Sequence, residues 1–134
     1  MELMNYLDQH ESIKKEISVI KHLTGGNDVE ANVKDIALHV STLAGKIKIH
    51  LSMEDKYLYP ELQKRGNDQE KTMATAFQKE MGGLADAFVE YKDQYNTVPK
   101  IMKNLGQLKS DTLHIFEKIE KRIEKEEKEL YKLI

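Results

Sequence analysis

Four long stretches of the chain place apolar residues three or four positions apart, and short connections rich in Gly, Asn, Asp and Pro separate them. That spacing brings the apolar side chains of a stretch to one face of an α-helix. The predicted helical segments, named A to D in chain order, span residues 2–23, 29–64, 69–95 and 98–133. Short connections make neighbouring helices antiparallel, so we expect one all-α domain over residues 1–134, an antiparallel up-down-up-down four-helix bundle.

Candidate caps mark the starts of three segments. Asp28, Asp68 and Thr97 are residue types whose side chains accept hydrogen bonds from first-turn amides, and Pro99 suits a first turn. Pro60, near the end of segment B, has no backbone N–H. We therefore expect it to kink or shorten that helix.

The composition excludes several classes of protein. The chain has no Cys, so it has no thiolate metal site, and a metal would be held by His and carboxylates. Its 21 basic and 23 acidic residues give a net charge of −2, unlike a strongly basic nucleic-acid-binding domain. No apolar run approaches the roughly 20 residues that span a bilayer, and the first residues lack the features of a signal peptide. We expect a cytoplasmic protein without membrane or nucleic-acid partners.

Imidazole and charged side chains interrupt the apolar faces at core-type positions. They are His10, His50, Glu54, Arg122 and Glu126. A buried carboxylate without a partner costs several kcal/mol, so these groups must be paired, protonated or bound to a metal. They lie at similar depths along their segments, which predicts one buried layer.

Segments B and D carry two versions of one motif. Residues 50–59, HLSMEDKYLY, align without gaps with residues 122–131, RIEKEEKELY. The Glu and the Leu-Tyr pair recur at the same offsets. The main chemical change is the replacement of His50 by Arg122.

These motifs resemble those of hemerythrin-like domains of the HHE cation-binding type. The resemblance is carried by His10 in Asp-Gln-His-Glu, by the motif at His50 and Glu54 that ends in Leu-Tyr-Pro, and by Glu126 in Glu-Glu-Lys-Glu-Leu-Tyr. Such domains take a His from the first helix, His-x-x-x-Glu from the second, a His from the third and His-x-x-x-Glu from the fourth, and many members hold two non-haem irons. The resemblance implies His10, His50, Glu54 and Glu126 as metal ligands, with iron as the metal and zinc as an alternative.

The chain departs from that family pattern at two positions. Met81 stands where we place the third helix's His, and Arg122 stands where the fourth helix brings one. A thioether is a poor ligand for a hard or borderline ion, and a guanidinium stays protonated. We therefore expect a half-site for one metal, with Arg122 paired to Glu54 or Glu126. Tyr57, one turn after Glu54, is expected to hydrogen-bond to it.

Two functions of different classes follow. The leading one is a non-haem metal-binding domain, not an enzyme, which by resemblance binds or senses oxygen, nitric oxide or iron. The alternative is a metal-free interaction or scaffold module in which the polar layer is a buried ion-pair network. A third interpretation, phosphotransfer through His39, rests on a poor motif match, and we expect His22, His39 and His114 at the surface. A homodimer or another protein partner stays open.

Overall fold

The computed structural model describes residues 2–134, which are helical almost throughout and contain no strand. The α-helices in chain order are α1 (Glu2–Gly25), α2 (Val33–Met53), α3 (Tyr59–Arg65), α4 (Asp68–Tyr95), α5 (Val98–Lys103) and α6 (Leu105–Lys125). The all-α prediction is confirmed. There are also two short 3₁₀ turns. One precedes α2 (Glu30–Asn32), and the other lies beyond α6 (Tyr131–Leu133).

Two π turns interrupt the segments that carry the repeated motif. They span Glu54–Leu58 and Glu126–Leu130, so each begins at the Glu of its motif. The amide of the Tyr that follows each turn donates to the carbonyl of that Glu, five residues earlier. Segments B and D were expected to be regular helices here. The turn in segment B ends at Leu58, and Pro60 lies in the first turn of α3 that follows. The same kind of turn forms in segment D without a proline, so it does not depend on one.

The long helices pack around a shared interior. Helix α1 contacts α2 and α6, and α4 contacts the same two helices. These contacts agree with a helical bundle, and the up-down-up-down order stays a prediction. Within residues 2–134, no helix combines the length and apolar character needed to cross a membrane.

Apolar side chains form two clusters along the bundle. The larger cluster includes Ile13, Ile47 and Ile119. The smaller one includes Tyr6 and Leu58. On α1, His10 lies between residues of the two clusters, and on α2 and its π turn His50 and Glu54 do the same. The polar side chains therefore form a layer between two apolar regions.

The ends of the helices correct some details. Asn67, not Asp68, caps α4, because its side chain accepts from the amide of Glu70 while the Glu70 carboxylate accepts from the amide of Asn67. Thr97 caps α5 as predicted. Asp28 caps no helix, since a 3₁₀ turn without a side-chain cap precedes α2. Leu3, which lies three residues before the buried Tyr6 at helical spacing, is exposed.

Candidate metal centre

Four side chains from distant parts of the chain meet in the polar layer. His10 lies on α1, His50 on the last turn of α2, and Glu54 and Glu126 each begin a π turn. One ligand atom from each lies within 4.8 Å of all the others, and all four residues are buried. Nε2 of His10 is 2.8 Å from Oε1 of Glu126 and 3.1 Å from Nε2 of His50. The structure thus brings together the four predicted ligands.

The outer nitrogens of both imidazoles are occupied. Nδ1 of His10 lies 2.8 Å from Oε2 of Glu127, and Nδ1 of His50 lies 2.7 Å from Oε1 of Gln9. Each of these oxygens is a hydrogen-bond acceptor, so each Nδ1 carries a proton. When such a ring is neutral, its Nε2 has no proton and presents a lone pair. Contacts of this kind orient metal-binding histidines. Two lone pairs 3.1 Å apart beside a carboxylate require a cation among them, either a metal ion or a proton.

A buried carboxylate oxygen gives a second sign of fit to a cation. Oε1 of Glu54 is among the buried side-chain atoms of the described residues that have no hydrogen-bond partner. Leaving a buried polar atom unsatisfied costs about 1–3 kcal/mol, and more when it is charged. Imidazole nitrogens and carboxylate oxygens are ligands for iron and zinc. The side chains therefore fit a metal ion.

A family model of the hemerythrin HHE cation-binding domain matches residues 4–134 of the chain. The chain belongs to this family. No curated protein and no solved structure matches it. Family membership and the buried His and Glu cluster together indicate a non-haem metal-binding domain.

Arg122, which stands in place of a family ligand, is buried and pairs with Glu126. Its Nε donates to Oε2 of Glu126 at 2.9 Å, and its Nη2 donates to the Tyr59 hydroxyl and to the carbonyl of Phe77. Burial raises the pKa of Glu126, but its contacts with His10 and His50 and the charges of Arg122 and His50 outweigh it and hold that pKa well below its usual range. Glu126 is therefore ionised. Arg122 was expected to pair with Glu54 or Glu126, and its guanidinium contacts Glu126.

Met81, the other departure from the family pattern, is half-buried and lines a small cavity beside the layer. The cavity has a volume of about 20 Å³, and its wall includes His10, His50, Arg122 and Glu126 besides apolar side chains. About one water-sized molecule fits such a space. In this hemerythrin-family domain, the side of the layer that lacks the two usual histidines is thus a small cavity.

Tyr57 was expected to hydrogen-bond to Glu54, but the structure places it outward. The residue is 47% exposed. An α-helix brings residues three and four positions apart to one face, whereas the wider π turn brings residues five apart together. The π turn at Glu54 therefore carries Tyr57 outward. The hydroxyl of Tyr131 donates to Oε2 of Glu54 instead, at 2.6 Å.

The sequence alone did not identify Gln9, Glu127 and Tyr131 as parts of the site, nor Tyr59 as a contact of Arg122 outside the ligand set. The signal for the two tyrosines is the Leu-Tyr pair that recurs at the same offset in the two motifs. Tyr59 contacts Arg122 of the other motif, and Tyr131 contacts Glu54 of the other motif. Burial, then the charges of Glu126 and Glu54, raise the pKa of Tyr131 far above its usual value, so its hydroxyl keeps its proton in the metal-free protein.

The other histidines lie outside the polar layer. His22 and His114 are exposed, as predicted. His39 is half-buried, and its Nδ1 lies 2.7 Å from Oε2 of Glu16. This contact occupies Nδ1 of His39, and Lys46 donates to the other oxygen of the same carboxylate.

A proton is the cation that competes with metal in this site. Burial alone lowers the pKa of His50, but hydrogen bonds to Glu126 and Glu54 and their charges raise it to about 9. His50 is therefore an imidazolium at neutral pH when no metal is bound. Metal binding must displace that proton, so metal affinity should increase as the pH rises towards 9.

We expect the metal-free protein to be less stable in base. The contribution of the His50 imidazolium is complete below its unfolded pKa of 6.5 and is lost as the pH rises through about 9. The loss in unfolding free energy is on the order of 3 kcal/mol. Urea unfolding on both sides of this window measures it. His50→Gln should remove most of the difference and His22→Gln, at an exposed histidine, should retain it; equal losses in the two variants would contradict the assignment.

Proposed function

We propose that this domain binds a single metal ion, with iron as the physiological ion and zinc as an alternative. The ligands would be His10, His50, Glu54 and Glu126. The observation that carries the proposal is the pair of imidazole Nε2 atoms 3.1 Å apart, each in a ring whose Nδ1 donates a hydrogen bond outward. Outward bonds of this kind fix the rings with their lone pairs directed at one point.

Arg122 supports a site for one ion rather than two. Its guanidinium neutralises Glu126, a carboxylate that a second ion would otherwise help to balance. Neither this guanidinium nor the Met81 thioether is a ligand suited to iron or zinc. The chain thus keeps the ligands of one ion and replaces those of the other with a fixed positive charge and a cavity.

We further propose that the domain binds or senses a small molecule such as oxygen or nitric oxide, and that it is not an enzyme. A bound ion would supply a coordination position for a diatomic ligand. The cavity beside the layer, about 20 Å³ and lined largely by apolar side chains, has room for about one such molecule. Met81 and Phe88 on its wall would keep water from the bound molecule.

A metal-free interaction or scaffold module is the second candidate. The observation in its favour is that most buried polar side-chain atoms of the layer have hydrogen-bond partners within the protein. With His50 protonated, the buried side-chain atoms of residues 2–134 that lack a partner are Oε1 of Glu54 and Nη1 of Arg122. In that case the layer is an ion-pair network that fixes the packing of the helices, a use attested for some buried polar groups.

Metal uptake separates the two candidates. Metal-free protein is titrated with Zn(II) in air and with Fe(II) under anaerobic conditions, and binding is followed by calorimetry and elemental analysis. We expect about one ion per chain and a stabilisation of about 2.7 kcal/mol at an ion concentration 100 times the dissociation constant. Two ions per chain would contradict the half-site. No uptake would reject metal binding in favour of the metal-free module.

A further inference from the structure

The hydroxyl of Tyr131 lies among all four proposed ligand atoms. Its oxygen is 2.6 Å from Oε2 of Glu54, 3.1 Å from Nε2 of His10, 3.2 Å from Oε1 of Glu126 and 3.4 Å from Nε2 of His50. The tyrosine is buried and follows directly on the π turn that begins at Glu126. That turn brings the fifth residue after Glu126 back to the same face of the helix.

Building on the proposed single-ion site, we propose that Tyr131 is a fifth ligand and binds trivalent iron as a phenolate. When the ion binds, the O–H bond of Tyr131 breaks, the proton passes to the solvent, and the oxygen's electron pair forms the bond to iron. The oxidation state of iron does not change in this step.

The spacing of the donors supports ligation. Atoms that bind one ion at about 2.1 Å lie about 3 Å from their neighbours around it. The distances from the Tyr131 oxygen to the other four donors, 2.6–3.4 Å, fall around this value. The contacts among the other donors, such as 3.3 Å between Nε2 of His50 and Oε2 of Glu54, do so too.

The charge of a Tyr131 phenolate favours a trivalent ion. The buried carboxylates of the layer are those of Glu54 and Glu126, and Arg122 pairs with Glu126, while the outer carboxylate of Glu127 faces His10 and Lys14. A trivalent ion brings one more positive charge to this layer than a divalent ion does, and a phenolate oxygen of Tyr131 offsets that charge. Oxygen anions also suit the harder of the two iron ions.

A purely structural Tyr131 would only donate its hydrogen bond to Glu54 and hold that carboxylate in place. The two roles give different results with Fe(III), since a phenolate ligand produces a phenolate-to-iron charge-transfer band in the visible and a hydrogen-bond donor does not. Tyr59 is a matched control. It occupies the same place in the other motif, is buried, and has its hydroxyl on Arg122 rather than on a ligand.

The test loads metal-free protein with one equivalent of Fe(III), added as ferric nitrilotriacetate, and records visible absorption and resonance Raman spectra. We expect wild type and Tyr59→Phe to show the phenolate band and Tyr131→Phe to lack it. We also expect Tyr131→Phe to lower the affinity for Fe(III) by more than about 100-fold. The affinity for Zn(II) should fall by less than about tenfold, the lower end of the effects of changing a residue that contacts a ligand without binding the metal.

The outcomes separate this inference from the site itself. Wild type that binds Fe(III) without phenolate modes in its Raman spectrum overturns the role of Tyr131 and leaves the metal site standing, even if Tyr131→Phe does not fold. A band that persists in Tyr131→Phe and vanishes in Tyr59→Phe overturns it as well. Wild type that takes up neither Zn(II) nor Fe(III) overturns both proposals.

Discussion

Replacing Arg122 with alanine is expected to lower the unfolding free energy of the metal-free protein by about 3–5 kcal/mol, the usual result of breaking a buried ion pair from one side. Glu126 would lose the Nε donor at 2.9 Å, and its charge would stay buried. The carbonyl of Phe77 and the hydroxyl of Tyr59 would lose their donor too. Urea unfolding followed by circular dichroism measures the change.

Arg65 provides the matched control. It also pairs with a Glu four residues away, Oε1 of Glu61 at 3.2 Å, but its side chain is 55% exposed. Exposed pairs are worth about 0–1 kcal/mol, so Arg65→Ala should unfold nearly as wild type does. If Arg122→Ala were as mild as this control, the guanidinium would not be compensating a buried carboxylate.

Glu54→Gln is expected to weaken Zn(II) binding by more than about 100-fold, beyond the effects of changing contacts outside the ligand set. The substitution removes a negative charge and replaces a carboxylate oxygen with a neutral amide oxygen. The fold should remain helical, because an amide oxygen still accepts the hydrogen bond that Tyr131 donates to Glu54. Calorimetric titration of the two proteins at one pH gives the ratio of affinities.

An exposed carboxylate of the same region shows whether charge alone explains such a loss. Glu61 lies on the surface of α3 and contacts Arg65, so Glu61→Gln changes the net charge equally without touching the layer. It should bind Zn(II) as wild type does. Glu54 is not a ligand if Glu54→Gln lowers the Zn(II) affinity by less than about tenfold. Such a loss is smaller than changing a residue that only contacts a ligand typically produces.

The helices and the members of the layer could be predicted because a single periodicity determines both. Residues three or four apart share a face, so His10, four residues after Tyr6 and three before Ile13, was expected at a core position, and all three are buried. The same spacing put His50 and Glu54 on one face. Burial then required partners for these groups, and the structure supplies them.

The contacts beyond the layer could not be predicted, because the π turns change the periodicity locally. Nothing in the motif of segment D, which has no proline, marks a change of hydrogen bonding from four residues to five. A regular helix directs Tyr57 inward, and the observed turn directs it outward. The contacts of Gln9 and Glu127 depend on how neighbouring helices pair, which the spacing along one helix does not reveal.

The position of the polar layer between two apolar clusters has a consequence for local unfolding. Native proteins open in parts, and parts with less buried apolar contact open more readily. We therefore expect the smaller cluster, which contains Tyr6 and Leu58, to open more readily than the larger one, which contains Ile17 and Leu43. An ion held by His10, His50 and Glu126 would tie the two parts together, so amide hydrogen exchange around the smaller cluster would report occupancy of the site while the rest of the bundle exchanged unchanged.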